Sequence, residues 1–133
     1  MKLVLGLGCD RGTALDTVET AIAQALASAD LSLEQVILLA SIDKKQDEAA
    51  FLQLAEKYAL AMNFYPAEKL AGVPVPSPSA VVMKYVGTPS VSEAAAILAA
   101  ETDMSSLLVE KYKYCGEDGK NATVSIVQMR TNI

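Results

Sequence analysis

The chain has 133 residues, is 52% hydrophobic, and carries 11 Lys and Arg against 16 Asp and Glu, for a net charge of −5 without a single histidine. That length suits one domain with a real core, and an acidic chain with no basic block argues against a nucleic-acid partner. The missing histidine excludes Ser-His-Asp, Cys-His and His-metal sites within one chain, and apolar runs as short as residues 36–40 cannot span a bilayer.

Met1-Lys2 followed by LVLGLG lacks the length and cleavage region of a signal peptide, so a cytoplasmic location is expected. Residues 2–7 are a continuous apolar run closed by Gly6 and Gly8, the pattern of a buried strand. Thr13, with Asp16 three residues on, starts a helix whose apolar face is Ala14, Leu15, Val18, Ala21, Ile22, Ala25 and Leu26. Strand, glycine-rich turn and amphipathic helix make the first half of a βα unit, with the loop at the strand's carboxyl end. Residues 35–41 supply a second strand. Phe51, Leu54, Ala55, Tyr58 and Ala59 then recur at helical spacing, with Asp47 as the N-cap. Residues 62–65 are extended, and 66–70 form one helical turn that Gly72 ends.

The stretch VPVPSPSAVVMKYVGTPSVSEAAA, residues 73–96, holds the unusual residues. Pro74, Pro76 and Pro78 alternate, fixing φ at each and stiffening the segment. Ser77 or Ser79 caps a short run over 80–86, and Ser90 with Glu93 forms a capping box ahead of an Ala-rich helix from about 91 to 100. Between them, Gly87, Thr88 and Pro89 make a turn rich in hydroxyls and N–H groups. Capping explains each hydroxyl locally; a ligand-facing surface would explain why two helix starts and a proline run crowd together. Residues 106–113 and 122–129 are β-prone runs joined by GEDGKN, a hairpin. Alternation puts Lys111 and Lys113 on one face and Tyr112 and Tyr114 on the other, and the lysines serve either as a solvated edge or as ligand contacts. The sum is an α/β fold, a single-domain three-layer sandwich with a mixed sheet of about five strands and helices on both faces, over residues 1–133.

In GLGCDRGT, Gly8 and Gly12 permit close backbone approach, Thr13 opens the helix, and Arg11 offers a guanidinium suited to carboxylate or phosphate. Its third glycine falls one position later than a dinucleotide fingerprint requires, which leaves a tight structural turn, an anion-binding loop and a nucleotide-binding enzyme as the readings. Cys9 sits beside Asp10, whose charge disfavours a thiolate, so it reads as a loop residue more than a nucleophile. Cys9 and Cys115 are too far apart for metal-ligand spacing, and no metal or cofactor is implied.

Taken together and in this order, GLGCDRGT, VPSPSAVV, VGTPSVSEAAA and the late Lys-bearing strand followed by ATVSIV resemble the cobalamin-biosynthesis family made of stand-alone CobE and the C-terminal domain of CbiG. The resemblance implies a part in corrin-ring synthesis: binding of a corrinoid or precorrin intermediate, whose acetate and propionate groups favour an anion-binding site. The ligand-binding candidates are then Gly8, Cys9, Arg11, Gly12, Thr13, Ser77, Ser79, Gly87, Thr88, Ser90 and Glu93. Arg11, Thr88 and Ser90 are expected to share one site. Full-length CbiG resembles a hydrolase that opens a ring lactone. This chain matches its C-terminal domain alone, leaving open whether it breaks a bond, assists that step, or docks onto a pathway enzyme.

Overall fold

Leu3, Leu5 and Leu7 on one side of the first strand, and Val4 and Gly6 on the other, are all buried. A strand apolar on both faces has to be sandwiched between layers, and in the computed structural model, which describes residues 1–74 and 91–129, it is. This strand, β1 (Leu3–Cys9), is central. On one side it pairs in parallel with β2 (Val36–Ile42), which pairs in parallel with β3 (Ala61–Tyr65). On the other side it pairs antiparallel with β5 (Asn121–Gln128), which pairs antiparallel with β4 (Leu107–Cys115). The order β3-β2-β1-β5-β4 is the mixed five-stranded sheet that the sequence patterning implies.

Two helices, α1 (Leu15–Ser28) and α2 (Ala49–Tyr58), cover one face through Val18, Ile22, Leu26, Phe51 and Leu54. The other face carries the short α3 (Ala67–Ala71) and α4 (Val91–Ala100). Helix α4 is buried almost all round, as its run of alanines allows. It also lies unusually close to the sheet. A Cβ built on Gly6 would fall 1.8 Å from the Ser92 carbonyl oxygen and 2.9 Å from the Ala96 Cβ. Gly6 is therefore the slot into which the α4 backbone settles.

Several boundaries differ from the expectations, each for a tertiary reason. Strand β1 runs on to Cys9 because β5 continues the ladder as Leu7↔Val124, Gly8↔Thr123 and Cys9↔Ala122. Helix α1 starts at Leu15, not Thr13: the Thr13 hydroxyl is buried and donates to the Asp10 carbonyl at 2.5 Å. The cap comes from the far end of the chain. In the β4–β5 hairpin loop, Asp118 Oδ2 accepts the Ala14 N–H at 2.9 Å and Oδ1 accepts the Thr17 hydroxyl at 3.0 Å. Likewise Asp47 does not cap α2; Glu48 holds the N-cap position, and the Asp47 carboxylate pairs with Arg11 instead. Ala59, placed in the helical series by its spacing, follows the end of α2 in a left-handed conformation at φ 53°. Among the described residues, no helix is long and apolar enough to cross a membrane.

Two outcomes follow from this packing. Gly6→Ala should destabilise the fold by about 3 kcal/mol or more, the upper end for overpacked cores, because the obstacle is backbone; denaturant unfolding within about 0.5 kcal/mol of the parent would refute the close approach. For Asp118, the Ala14 N–H foremost, then the Lys120 N–H and the Thr17 hydroxyl, hold the carboxyl below its ordinary value. Its contribution is thus complete above the ordinary carboxylate range and is lost as pH falls through the lowered folded value. Asp118→Asn should lower the melting temperature most at neutral pH, with the gap to the parent closing in acid; a gap independent of pH would contradict this.

Candidate anion-binding cleft

The sheet topology gathers distant parts of the chain at one edge. Parallel β1 and β2 deliver their following loops to the same side. Two antiparallel steps make β4 run with β1, so its Lys111 and Lys113 lie toward that edge, where β5 enters with Asn121 and Thr123. The start of α4 comes down from the second face. Between these elements is a cleft of about 460 Å³, within the usual size of small-molecule sites, with Gly8, Ile42 and Val91 among its walls. Arg11, Lys44, Lys45, Lys111 and Lys113 also line it. Five of the chain's 11 basic residues thus meet at one place on an acidic protein.

The loop GLGCDRGT builds one wall, but its polar groups are turned inward to the protein. The Gly12 N–H donates to Glu48 Oε1 at 2.9 Å, the Thr13 N–H to the Asp10 carbonyl at 3.2 Å, and the Ala14 N–H to Asp118. Asp10 Oδ2 in turn accepts the Asn121 backbone N–H at 2.8 Å and its side-chain amide at 3.1 Å. The Gly12 and Ala14 N–H groups, which lead into α1, are thus occupied by the protein's own carboxylates and the Thr13 N–H by a backbone carbonyl.

Arg11 is similarly engaged: its guanidinium donates to Asp47 at 2.8 Å and to the Lys44 carbonyl at 2.6 Å, and lies 3.1 Å from Glu48 Oε2. The bond to Asp47 raises the arginine above its ordinary value and lowers the aspartate below its own. With side chains 57% and 77% exposed, that pair contributes little stability. Its effect is to tie the β1–α1 loop to the β2–α2 loop. Cys9 is half-buried; burial pushes its thiol up, Glu48 and Asp10 push the same way, and Lys45 and the Thr13 hydroxyl oppose them. At neutral pH it is a thiol.

The lysines face the cleft because the tyrosines do not. Tyr112 and Tyr114 pack against the α1 side of the core, and the Tyr112 hydroxyl donates to Gln24 Oε1 at 2.8 Å. With a period of two, that fixes Lys111 and Lys113 on the opposite face. Lys111 Nζ is 3.6 Å from Glu93 Oε1, behind the cleft wall. Beside them, the hydroxyls of Ser125 and Ser92 are hydrogen-bonded at 2.8 Å, and Ser125 also bonds the Glu110 carbonyl.

Of the residues singled out by sequence, Gly8, Cys9 and Arg11 line the cleft, Gly12 and Thr13 hold its loop together, and Glu93 is buried beneath Lys111. Ser77, Ser79, Gly87, Thr88 and Ser90 lie outside the described residues. Sequence reasoning passed over Lys44, Lys45, Glu48 and Asp118. The first pair carried a usable signal: two lysines directly after an apolar strand stand at a carboxyl edge whenever that strand is parallel to its neighbour.

Comparison with known proteins identifies the family. Residues 3–127 match the family described as Cobalamin synthesis G C-terminus. The chain is 35% identical over 124 residues to the cobalt-precorrin-5A hydrolase of Priestia megaterium, covering 93% of this chain and 31% of that protein's length. It is 36% identical over 111 residues to Protein CobE of a Sinorhizobium species, covering 82% of this chain and 71% of the other. A crystal structure of CobE, a protein from the cobalamin (vitamin B12) biosynthetic pathway, superposes with a TM-score of 0.79 at 30% identity, over 98% of this chain and 93% of that one. The chain therefore belongs to the Cobalamin synthesis G C-terminus family and is a protein of cobalamin biosynthesis.

Proposed function

We propose that the chain binds a corrin-ring intermediate by its peripheral carboxylates in the lysine-lined cleft, and that it serves the lactone-opening step of corrin synthesis as binder or accessory domain. The observation that carries this reading is the convergence of Arg11, Lys44, Lys45, Lys111 and Lys113 beside an apolar wall on a protein of net charge −5. A corrin precursor matches both features: its macrocycle is apolar and its rim carries acids. Cations in a partly enclosed cleft are less screened than on open surface, so ammonium-to-carboxylate contacts are strong there.

The lactone-opening part rests on the relative named cobalt-precorrin-5A hydrolase, of which this chain spans under a third. The chain's own chemistry favours binding. It has no histidine, and Cys9, the thiol in the cleft, is held protonated. The rival reading, a nucleotide gripped by GLGCDRGT, is weakened because the Asp10, Gly12 and Thr13 N–H groups already serve Asn121, Glu48 and Asp10.

Absorbance titration with a panel of precorrin intermediates is the direct test. Binding should be saturable, weaken with salt, and fall by about 1.5–3 kcal/mol in Lys45→Gln or Lys113→Gln. Failure of every member of the panel to bind would defeat the proposal. Cys9→Ser should still support cobalamin synthesis in a complementation assay; loss of growth with a folded variant would instead assign the thiol an essential role.

A further inference from the structure

Glu93 is buried behind the cleft wall at a cost that no hydrogen bond among the described residues offsets. It lies in the first turn of α4, is 0% exposed, and neither carboxylate oxygen has a hydrogen-bond partner among the described residues. The dipole of α4 favours an anion at this position. That does not replace the hydration removed from both oxygens. The contrast with Glu48, at the start of α2, is informative. Glu48 is 3% exposed and its Oε2 also lacks a hydrogen bond, but that oxygen lies 3.1 Å from the Arg11 guanidinium, and Oε1 holds the Gly12 N–H and so stitches a loop in place.

The charged partner of Glu93 is Lys111, at 3.6 Å. Of the pair, Lys111 lines the cleft and keeps 20% of its side chain exposed, while Glu93 is sealed behind it. The elements packed against α4 also bring Cys9 from β1, Tyr65 from β3, Glu68 and Lys69 from α3, and Glu110 and Lys113 from β4. Strands β2 and β5 bring no ionisable side chain. None of the six groups makes an ion pair or hydrogen bond with Glu93 among the described residues.

A ligand carboxylate that reaches Lys111 therefore makes a second anion on one ammonium, in a place where the first has no other solvation. Two carboxylates that share such a site do not both stay ionised. The ligand carboxylate keeps contact with water and the neighbouring lysines, whereas Glu93 has neither. We propose that Glu93 takes up a proton when a ligand carboxylate claims Lys111, so that carboxylate binding in this cleft is proton-coupled. The inference deepens the reading of the cleft as a carboxylate site and rests on it. In the free protein the Lys111 ammonium faces Glu93 at 3.6 Å; in the complex the ligand anion takes over that contact, and a proton from solvent neutralises Glu93. Affinity then falls by up to about tenfold for each unit of rising pH. The cleft discriminates carboxylic acids from their esters and amides at this position, because an uncharged group cannot displace the glutamate.

Calorimetric titration with citrate, at a mildly alkaline pH where citrate is fully ionised, and in two buffers of different ionisation enthalpy, reads the proton directly. The parent protein should take up close to one proton per citrate bound. Glu93→Gln should bind without uptake and with an affinity nearly independent of pH, and Lys111→Met should lose both the uptake and most of the affinity. Absence of uptake in the parent, absence of citrate binding, or uptake undiminished in folded Glu93→Gln would each overturn the proposal. Should Glu93→Gln not fold, the two-buffer measurement on the parent and on Lys111→Met decides alone. The same titration with dicyanocobyrinic acid separates this idea from the functional one: corrin binding without proton uptake removes the Glu93 role alone, and citrate binding with uptake but no corrin binding removes the corrin reading alone.

Discussion

The missing side chain at Gly6 sets the geometry on which the cleft depends. With 1.8 Å between a hypothetical Cβ and the Ser92 carbonyl, no other residue lets α4 lie where it does. Because α4 lies there, Val91 and Ser92 form part of the cleft wall and Glu93 is driven into the interior beneath Lys111. The run of alanines after Glu93 belongs to the same constraint, since small side chains on the helix and none on the strand are both needed for backbones to approach. Packing on one face of the sheet thus determines which charge sits behind the cleft.

A second constraint is the mixed pairing of β1. A parallel partner on one side sends its loop to the carboxyl edge, and an antiparallel partner on the other returns the chain to the same edge. An all-parallel sheet would bring only βα loops there, whereas here a hairpin also contributes Lys111 and Lys113 directly from strand positions. Side chains on strands are held more rigidly than those on loops. The two lysines on β4 are consequently better placed than Lys44 and Lys45, which follow β2 in a short 3-10 turn.

Much of the fold was legible locally, because each main element carries its own signal: apolar runs for β1 and β2, helical spacing for α1 and α2, and two β-prone runs around a turn for β4 and β5. The site was legible only in part. Arg11 has the chemistry of an anion receptor, but its actual partners are residues 44, 47 and 48, which no local pattern connects to it. Thr13 and Asp47 were credible caps until distant groups took the roles, Asp118 for α1 and Arg11 as the partner of Asp47. Lys111 and Lys113 were ambiguous for a simple reason: alternation assigns a face but does not say what lies on it. What the sequence lacked in each case was the contact partner, and partners in this fold lie tens of residues away.

The bond between the Ala14 N–H and Asp118 spans 104 residues. During synthesis β1 and α1 leave the ribosome before the carboxylate that completes the start of α1 and the strand that flanks β1 are made. Until β5 arrives, β1 has one edge open, and an unpaired apolar strand is a template for other chains. The interval before β5 is made is therefore one of exposure to misassembly, and closure of the β4–β5 hairpin at once covers the open edge of β1, caps α1 and assembles the lysine wall. Such a chain gains its cleft and its protection from aggregation in the same step, and long-range closure of this kind makes for slow folding.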